Sequence, residues 1–444
     1  MIGLWKNLYL RPRFFICLTA IVVLFVAAYF WPQIFFLPKL AVFTLTLLTL
    51  VDIFFCFRGK GALAAQRDTP ERFSNGDENL VKLRVQNRYP FTAVLQIIDE
   101  LPVQLQARTF ALDATLKAGE EKILRYTIKP VERGEYAFGT LNVYASSPLG
   151  LVSKRYKFTQ EVVVPVYPSF LQMRKYELYA ISNRLTEAGV KKIRRVGHAM
   201  EFEQIRKYVR GDDYRTLNWK ATARKSEFMV NHYEDEKSQQ VYSCIDMGRV
   251  MEMPFGGMSL LDYAINASLV ISNIALHKQD KAGIITFAHK LEAILPADGR
   301  SAQLERIMQL LYGQKTEFME SNFEALCAAI MQKINHRSLL LLFTNFETPS
   351  ALQRQLPYLR KIARRHLVVT IFFENDEIKQ ALHKPANTTE EIYLKAIAEN
   401  FLLEKKQIVK ELQRYGLQAI LTAPQLLSVQ TINKYLEIKA RGML

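Results

Sequence analysis

The sequence predicts a multidomain protein with two N-terminal transmembrane helices, an antiparallel β-sandwich and an α/β domain of Rossmann-like type. Two long apolar runs come first, short runs of alternating polar and apolar residues follow, and nearly continuous apolar strands separated by helices come last. At 444 residues the chain is also long for one hydrophobic core. These changes of pattern place a transmembrane hairpin at 1–60, the sandwich at 61–167, a linker with a charged motif at 168–237 and the α/β domain at 238–444.

The two apolar runs have the length of membrane spans. The first, FFICLTAIVVLFVAAYFW at 14–31, contains no charged residue, and the second, at 40–57, contains one acid, Asp52, near its end. A run of about 18 apolar residues is long enough to cross the hydrocarbon core of a bilayer. The short connection WPQIFFLPK predicts a tight hairpin, which places both of its ends on one side of the membrane.

The basic residues around the hairpin predict its orientation. Its tip carries only Lys39, whereas six basic residues flank its two ends: Lys6, Arg11, Arg13, Arg58, Lys60 and Arg67. Because cytoplasmic segments next to membrane spans are enriched in Lys and Arg, we expect the soluble domains to face the cytoplasm. The sequence thus predicts a multi-pass protein of the inner (plasma) membrane.

Residues 68–166 form short runs with a period of two, separated by turn motifs such as SNGD, KAGE and SPLG. This pattern predicts a small antiparallel sandwich. The segment contains neither histidine nor cysteine. We therefore interpret it as a spacer or interaction module.

From residue 238 onward, the apolar strands QQVYSCIDMG, AGIITFA, SLLLLFTNF, HLVVTIFFEN and LQAILTAP alternate with helical segments. Strands of this kind predict a parallel sheet covered by helices on both faces. Ligand sites of such sheets lie at the carboxyl ends of the strands. Candidate functional residues should accordingly follow IDMG and FTNF.

Composition argues against an enzyme. The four cysteines show no metal-ligand spacing, and no GxxxxGK[ST] phosphate loop is present. The seven histidines are scattered, with no serine or cysteine nucleophile beside them in sequence. The net charge of +16 is compatible with an anionic membrane, nucleic acid or an acidic protein partner. We expect no enzymatic activity, with a hydrolase as the alternative.

A charged motif, VGHAMEFEQIRKYVRGDDYRTLNWKATAR at 196–224, precedes the α/β domain. Apolar residues at 202, 205, 208 and 209 recur at helical spacing, which predicts a helix that ends at Gly211, with Asp212 or Asp213 capping the next one. Arg215 could pair with Glu201 or Asp213. Two hypotheses remain open for the motif: an internal ion-pair cluster, or a docking surface for a partner.

The spacing G-x3-EF-x3-R-x-Y-x2-GDD-x-R-x3-W-x3-AR closely resembles the signature of the domain of unknown function 58 family. The resemblance extends over nearly the whole chain, including RGEY, SPLG and VYPS in the strand-rich segment. It implies a membrane-anchored accessory protein that acts as an adaptor and is often associated with MoxR-type AAA+ ATPases. The signature residues, proposed for partner docking, are Glu201, Phe202, Arg206, Tyr208, Gly211, Asp212, Asp213, Arg215, Trp219, Ala223 and Arg224.

The last domain resembles a von Willebrand factor A domain, a fold that normally holds a divalent cation through an Asp-x-Ser-x-Ser loop, a threonine and a later aspartate. Asp246 keeps the first position, but Gly248 and Val250 replace the two serines. Ser321 takes the place of the threonine and Asn345 that of the later acid. Because Mg²⁺ needs several oxygen ligands, we expect no bound metal and no cofactor. A weak Mg²⁺ site at Asp246, Ser321, Asn345 and Glu347 is the alternative.

These patterns favour a non-enzymatic, membrane-anchored adaptor whose cytoplasmic A-like domain binds a protein partner, a MoxR-type AAA+ ATPase or its client. The bilayer is its other expected partner, and no specific nucleic acid is expected. Two alternatives stay open: a metal-dependent or catalytic envelope enzyme, and a basic surface that binds anionic lipid or nucleic acid. The second alternative rests on KKIRR at 191–195.

Overall fold

The computed structural model of the chain describes residues 7–58, 61–107, 110–181, 200–209, 212–235, 238–316, 318–375, 378–379, 382 and 388–443. It divides into two compact units, residues 1–167 and 168–444. The first unit contains both apolar helices and the antiparallel sheets of the strand-rich segment, and the second contains the α/β sheet. The finer boundaries predicted from the sequence stay predictions.

The first unit begins with a short strand and the two apolar helices: β1 (Leu8–Leu10), α1 (Pro12–Phe30) and α2 (Phe36–Phe57). Both helices are long and apolar enough to cross a membrane and are only slightly buried within the protein. A third helix that meets the same criteria, Leu260–His277, is largely buried in the second unit. The N-terminal helices are therefore compatible with a membrane anchor, whereas the third is a core helix.

Ten further strands complete the first unit: β2 (Leu63–Asp68), β3 (Phe73–Ser74), β4 (Asn79–Asn87), β5 (Ala93–Asp99), β6 (Leu112–Leu116), β7 (Glu121–Ile128), β8 (Gly134–Phe138), β9 (Leu141–Ser146), β10 (Val152–Phe158) and β11 (Val162–Tyr167). They form sheets of order β1-β10-β9-β5-β6, β3-β11-β8 and β2-β4-β7. Every pairing is antiparallel except that of β3 with β11. The predicted antiparallel arrangement is confirmed.

Two charged residues of this unit have roles that the sequence did not reveal. Arg67, counted among the residues that flank the membrane, is buried and pairs with the buried Asp99. Asp52, near the end of α2, is fully buried and accepts hydrogen bonds from the hydroxyl of Ser147 and from the backbone N–H groups of Leu151 (3.0 Å) and Val152 (2.9 Å). The carboxylate thereby ties the end of α2 to the turn between β9 and β10.

The second unit consists of α3 (Phe170–Ile181), β12 (Met200–Lys207), α4 (Trp219–Lys225), β13 (Met229–Asp235), β14 (Gln240–Asp246), β15 (Pro254–Phe255), β16 (Met258–Ser259), α5 (Leu260–His277), β17 (Lys281–Phe287), β18 (Leu291–Asp298), α6 (Ala302–Tyr312), α7 (Phe323–Lys333), β19 (Leu339–Phe343), α8 (Pro349–Ala363), β20 (Leu367–Phe373), α9 (Thr389–Arg414), β21 (Gln418–Thr422) and α10 (Leu427–Ala440).

Six of these strands form one sheet of order β18-β17-β14-β19-β20-β21, which is parallel apart from the edge strand β18. Counted along the chain, this is the order 3-2-1-4-5-6 of doubly wound Rossmann sheets. Its four inner strands, β14, β17, β19 and β20, are buried nearly throughout, as their unbroken apolar runs predict. The carboxyl ends of β14 and β19 lie side by side in the centre.

The helix predicted for residues 202–209 is wrong. Residues 200–207 form strand β12, which pairs antiparallel with β13. The register shifts between Phe202 and Gln204, and such a bulge inserts an extra residue that breaks the simple alternation of a strand. Apolar residues on the two sides of the bulge consequently follow a spacing that resembles a helical period.

Candidate functional site

The first candidate site surrounds Asp246 at the carboxyl end of β14. Its side chain is fully buried, and both oxygens are hydrogen bonded. Oδ1 accepts from the Gly248 N–H (2.8 Å) and from the Ser321 hydroxyl, and Oδ2 accepts from the Thr344 hydroxyl (2.6 Å). Burial raises the pKa of Asp246, while the three hydrogen bonds favour its charged form. Asp246 thus joins three loops at the carboxyl ends of the central strands.

Gly248 stands where the metal-binding pattern has its first serine. A Cβ atom at this position would lie 2.1 Å from Ser321 Oγ and 3.1 Å from the Met319 carbonyl oxygen. No serine fits there while Ser321 keeps its hydrogen bond to Asp246. The hydrogen bond from Ser321 to Asp246 therefore requires that position 248 carry no side chain.

Asn345 stands where the pattern has its later acid, and its side-chain oxygen accepts from the Lys405 ammonium (2.7 Å). Lys405, on α9, also donates to the carbonyl oxygen of Phe346 (2.6 Å). Burial lowers the pKa of Lys405 to about 8, although the nearby Glu347 opposes this effect. Lys405 is not among the residues predicted from the sequence, where its only signal is its place on the same helix face as the buried Ile408 and Leu412.

These residues do not fit a Mg²⁺ ion. Octahedral Mg²⁺ needs several free oxygen ligands, yet the carboxylate oxygens of Asp246 and the amide oxygen of Asn345 already accept internal hydrogen bonds. Glu347, the fourth predicted ligand, is exposed at the surface. In the part of the chain that the structure describes, no three His, Cys, Asp or Glu side chains cluster as metal ligands do.

The second candidate site is the charged motif, which folds into a small lobe of β12, α4 and β13. We call its described residues 200–209 and 212–235 the signature lobe. Asp212 accepts from Arg206 (2.6 Å) and from the Val209 N–H (2.9 Å), and Asp213 accepts from the Arg215 N–H (3.0 Å). Asn218 caps α4 through the Ala221 N–H (2.9 Å). Asp212 and Asp213 thus fix turns of the lobe.

The ion-pair cluster suggested for the motif, which would lock it onto the α/β domain, stays a prediction. Arg206 pairs with Asp212, but the side chains of Arg215 and Arg224 are exposed, as are Tyr208, Asp213, Trp219 and Ala223. Arg215 lies over the ring of Tyr214 (5.9 Å), and Tyr208 contacts the ring of Phe228 (6.4 Å between centroids). Glu201 and Phe202 belong to β12, but their side chains, and Gly211 altogether, lie outside the described residues.

The lobe exposes large aromatic side chains and several cations. Tyr214 is 70%, Trp219 67% and Phe228 59% exposed. No described residue forms a salt bridge with the four exposed cations Arg215, Lys220, Arg224 and Lys225. Aromatic and Arg side chains are enriched at protein interfaces and at their energetic hot spots. The basic run at 191–195 lies outside the described residues.

Comparison with known proteins supports the family resemblance. The family model described as "Protein of unknown function DUF58" matches residues 204–384 and so confirms the resemblance over that part of the chain. The uncharacterized protein YeaD of Bacillus subtilis (strain 168) is 25% identical over 179 residues, which are 38% of this chain. The chain covers 44% of the length of that relative.

Two solved structures are similar to the chain at low identity. The conserved hypothetical protein BatB of Bacteroides thetaiotaomicron is 10% identical, with a TM-score of 0.30, covering 46% of this chain and 99% of its own. The SpRpn10 VWA domain is 10% identical, with a TM-score of 0.27, covering 43% of this chain and 92% of its own.

Proposed function

Because the chain carries the domain of the DUF58 family at residues 204–384, we propose that it is a membrane-anchored, non-enzymatic adaptor. Its α/β unit, of von Willebrand factor A-like type, binds a protein partner through the signature lobe. The partner implied by the family resemblance is a MoxR-type AAA+ ATPase or its client. The two apolar helices hold the adaptor in the inner membrane, with the soluble domains in the cytoplasm.

One observation carries this proposal: Tyr214, Trp219 and Phe228 are more than half exposed on a lobe whose backbone is fixed by its own polar residues. Exposing such rings to water is unfavourable, and burying them in a partner recovers hydrophobic free energy. Asp212, Asp213 and Asn218 hold the turns, so the lobe can bind with little ordering of its own backbone. A rigid, aromatic and basic surface suits a partner with an apolar groove and acidic rim.

The site at Asp246 supports an adaptor that needs neither metal nor catalysis. The hydroxyl of Ser321 donates to the buried carboxylate of Asp246, which also accepts from the Gly248 N–H and the Thr344 hydroxyl and so joins three segments of the chain. Asn345 stands where the metal-binding pattern has its later aspartate, and its side-chain oxygen accepts a hydrogen bond from Lys405. We accordingly assign the residues around Asp246 a structural role in the adaptor.

A pull-down of the full chain from detergent-solubilised membranes tests the proposal. We expect the wild-type chain to retain an AAA+ ATPase and the Trp219→Ser/Arg215→Ala chain to retain at least about tenfold less, the effect of losing a hot spot. Tyr415→Ser, at another exposed aromatic that stacks with Arg360 (4.7 Å), is the matched control.

Equal retention by the wild-type and the Trp219→Ser/Arg215→Ala chains would place docking elsewhere. Turnover of a substrate by the purified chain alone would overturn the non-enzymatic assignment. Thermal unfolding of each variant separates lost binding from lost folding.

A further inference from the structure

The N-terminal half of α9 exposes an unusual amount of apolar surface. Six large side chains of this half are 45% to 68% exposed: Ile392, Tyr393, Leu394, Ile397, Phe401 and Leu403. The C-terminal half, in contrast, packs into the core through Ile408 and Leu412, which are fully buried. Leu394, Ile397 and Phe401 continue the helix face of Ile408 and Leu412. The apolar face of α9 thus extends beyond the part of the domain that covers it.

The charges on this half of α9 are mostly negative. Glu390, Glu399 and Glu404 form no ion pair with any described residue. A helix that lies on an anionic bilayer carries Lys and Arg on its polar face, and acids there would be repelled by the lipid. The composition therefore favours a protein with an apolar, basic surface over a membrane.

The signature lobe of the same chain has that complementary chemistry. It exposes the aromatic side chains of Tyr214, Trp219 and Phe228, and it exposes Arg224 and Lys225, which form no salt bridge with a described residue. Both surfaces stay exposed within one copy, as shown by the exposed fractions of Trp219 (67%) and Ile397 (53%). We infer that the signature lobe of one copy docks on the N-terminal half of α9 of a second copy.

This contact is heterologous, because two different surfaces meet, and a heterologous contact joins copies head to tail. Burial of the aromatic side chains against Leu394, Ile397 and Phe401 supplies the apolar core of the interface. Glu390 and Glu404 lie on the helix face of Leu394, Ile397 and Phe401 and attract the cations of the lobe, which sets the register. A lobe held by a second copy cannot hold another protein, so self-docking competes with the partner in the proposed function.

Charge reversal on either side tests the contact in the purified full chain. Two variants are compared with the wild type by analytical ultracentrifugation in detergent: Glu390→Lys/Glu404→Lys on α9 and Arg224→Glu/Lys225→Glu on the lobe. Each should weaken self-association at least about tenfold, because like charges then face each other. Gln413→Lys, an exposed position at the other end of α9, should associate like the wild type.

Mixing the two charge-reversed chains gives the decisive result. In the mixture, the unchanged lobe of one chain meets the unchanged α9 of the other, and the two reversed surfaces are again complementary. Association should therefore return as complexes that contain both chains. A monomeric wild-type chain, unchanged association of the α9 variant, or no recovery on mixing would overturn the inference.

The same variants separate this inference from the proposed function. The Glu390→Lys/Glu404→Lys chain keeps an intact lobe that self-docking no longer covers, and it should still retain the AAA+ ATPase in the pull-down. Failure of this variant to retain an ATPase would count against the proposed function alone. Failure of the wild type to associate with itself would count against the self-docking contact alone.

Discussion

Ser321 occupies the space that a side chain at Gly248 would need: a Cβ atom there would lie 2.1 Å from Ser321 Oγ. The two positions come from loops far apart in sequence, and both contact the buried carboxylate of Asp246. Gly248 has no side-chain hydroxyl, and the hydroxyl of Ser321 donates a hydrogen bond to Asp246. This geometry explains why no serine side chain fits at position 248 while Ser321 keeps its hydrogen bond to Asp246.

Restoring the serine should therefore destabilise the α/β unit. We expect Gly248→Ser to cost about 1–3 kcal/mol, as overpacking of a core does, which lowers Tm by about 2–10 °C. Ser321→Ala in the same chain should recover part of this loss, because it removes the clashing oxygen. Thermal unfolding of the two single variants and the double variant measures the coupling. Strictly additive effects would contradict the proposed clash.

Divalent cations should leave the stability of the protein unchanged. A ligand that binds only the folded state raises Tm with its concentration, and the oxygens around Asp246 and Asn345 already accept internal hydrogen bonds. We expect the same Tm in millimolar Mg²⁺ and in EDTA. A Tm that rises with Mg²⁺ in the wild type but not in Asp246→Ala would establish a metal site.

Asn345→Asp should change the pH dependence of stability through Lys405. The folded pKa of Lys405, about 8, lies below its ordinary value of 10.5, so its contribution to stability is present above pH 10.5 and is lost as the pH falls through about 8. A carboxylate at 345 would pair with the ammonium and raise this pKa. The variant should thus lose the gain in Tm that the wild type shows between about pH 8 and 10.

Buried His366 should make the α/β unit sensitive to mild acid. It is 4% exposed, neither ring nitrogen hydrogen bonds to a described residue, and burial, with the nearby Arg365, lowers its pKa below 6.5. Its contribution to stability is therefore present above pH 6.5 and is lost as the pH falls from there through the folded pKa. Thermal unfolding across this range should show a smaller loss for His366→Leu. Equal losses of Tm in the wild type and in His366→Leu would show that His366 does not cause the acid sensitivity.

Asp52→Ala should loosen the contact between α2 and the turn after β9. The change leaves the N–H groups of Leu151 and Val152 without their acceptor, and each buried unsatisfied group costs about 1–3 kcal/mol. Cys56 lies beside Asp52 and is 1% exposed, so its thiol becomes accessible to a reagent only when α2 separates from the turn. In a Cys17→Ser background, its maleimide labelling should accelerate by at least roughly 30-fold, since two such groups lose their acceptor. Asp52→Asn keeps one acceptor oxygen and should accelerate labelling less.

The helix misread at 202–209 shows where local pattern fails. A strand that carries a bulge between Phe202 and Gln204 loses its strict alternation, and its pairing with β13 decides the structure. By contrast, the apolar runs of β14, β19 and β20 are read correctly because burial on both faces leaves an unbroken local signal. Lys405 was missed because only the fold brings α9 to the loop after β19.

The apolar helices, the antiparallel segment, the strand-and-helix alternation and the family signature can be predicted from residue order, since each depends on a short window. Packing of distant segments, by contrast, brings Ser321, Thr344 and Gly248 to Asp246, lets Lys405 donate to Asn345, and leaves Trp219 and Tyr214 exposed to solvent. Hydrogen bonds between distant loops and the exposure of a side chain depend on how elements pack, which no local pattern records.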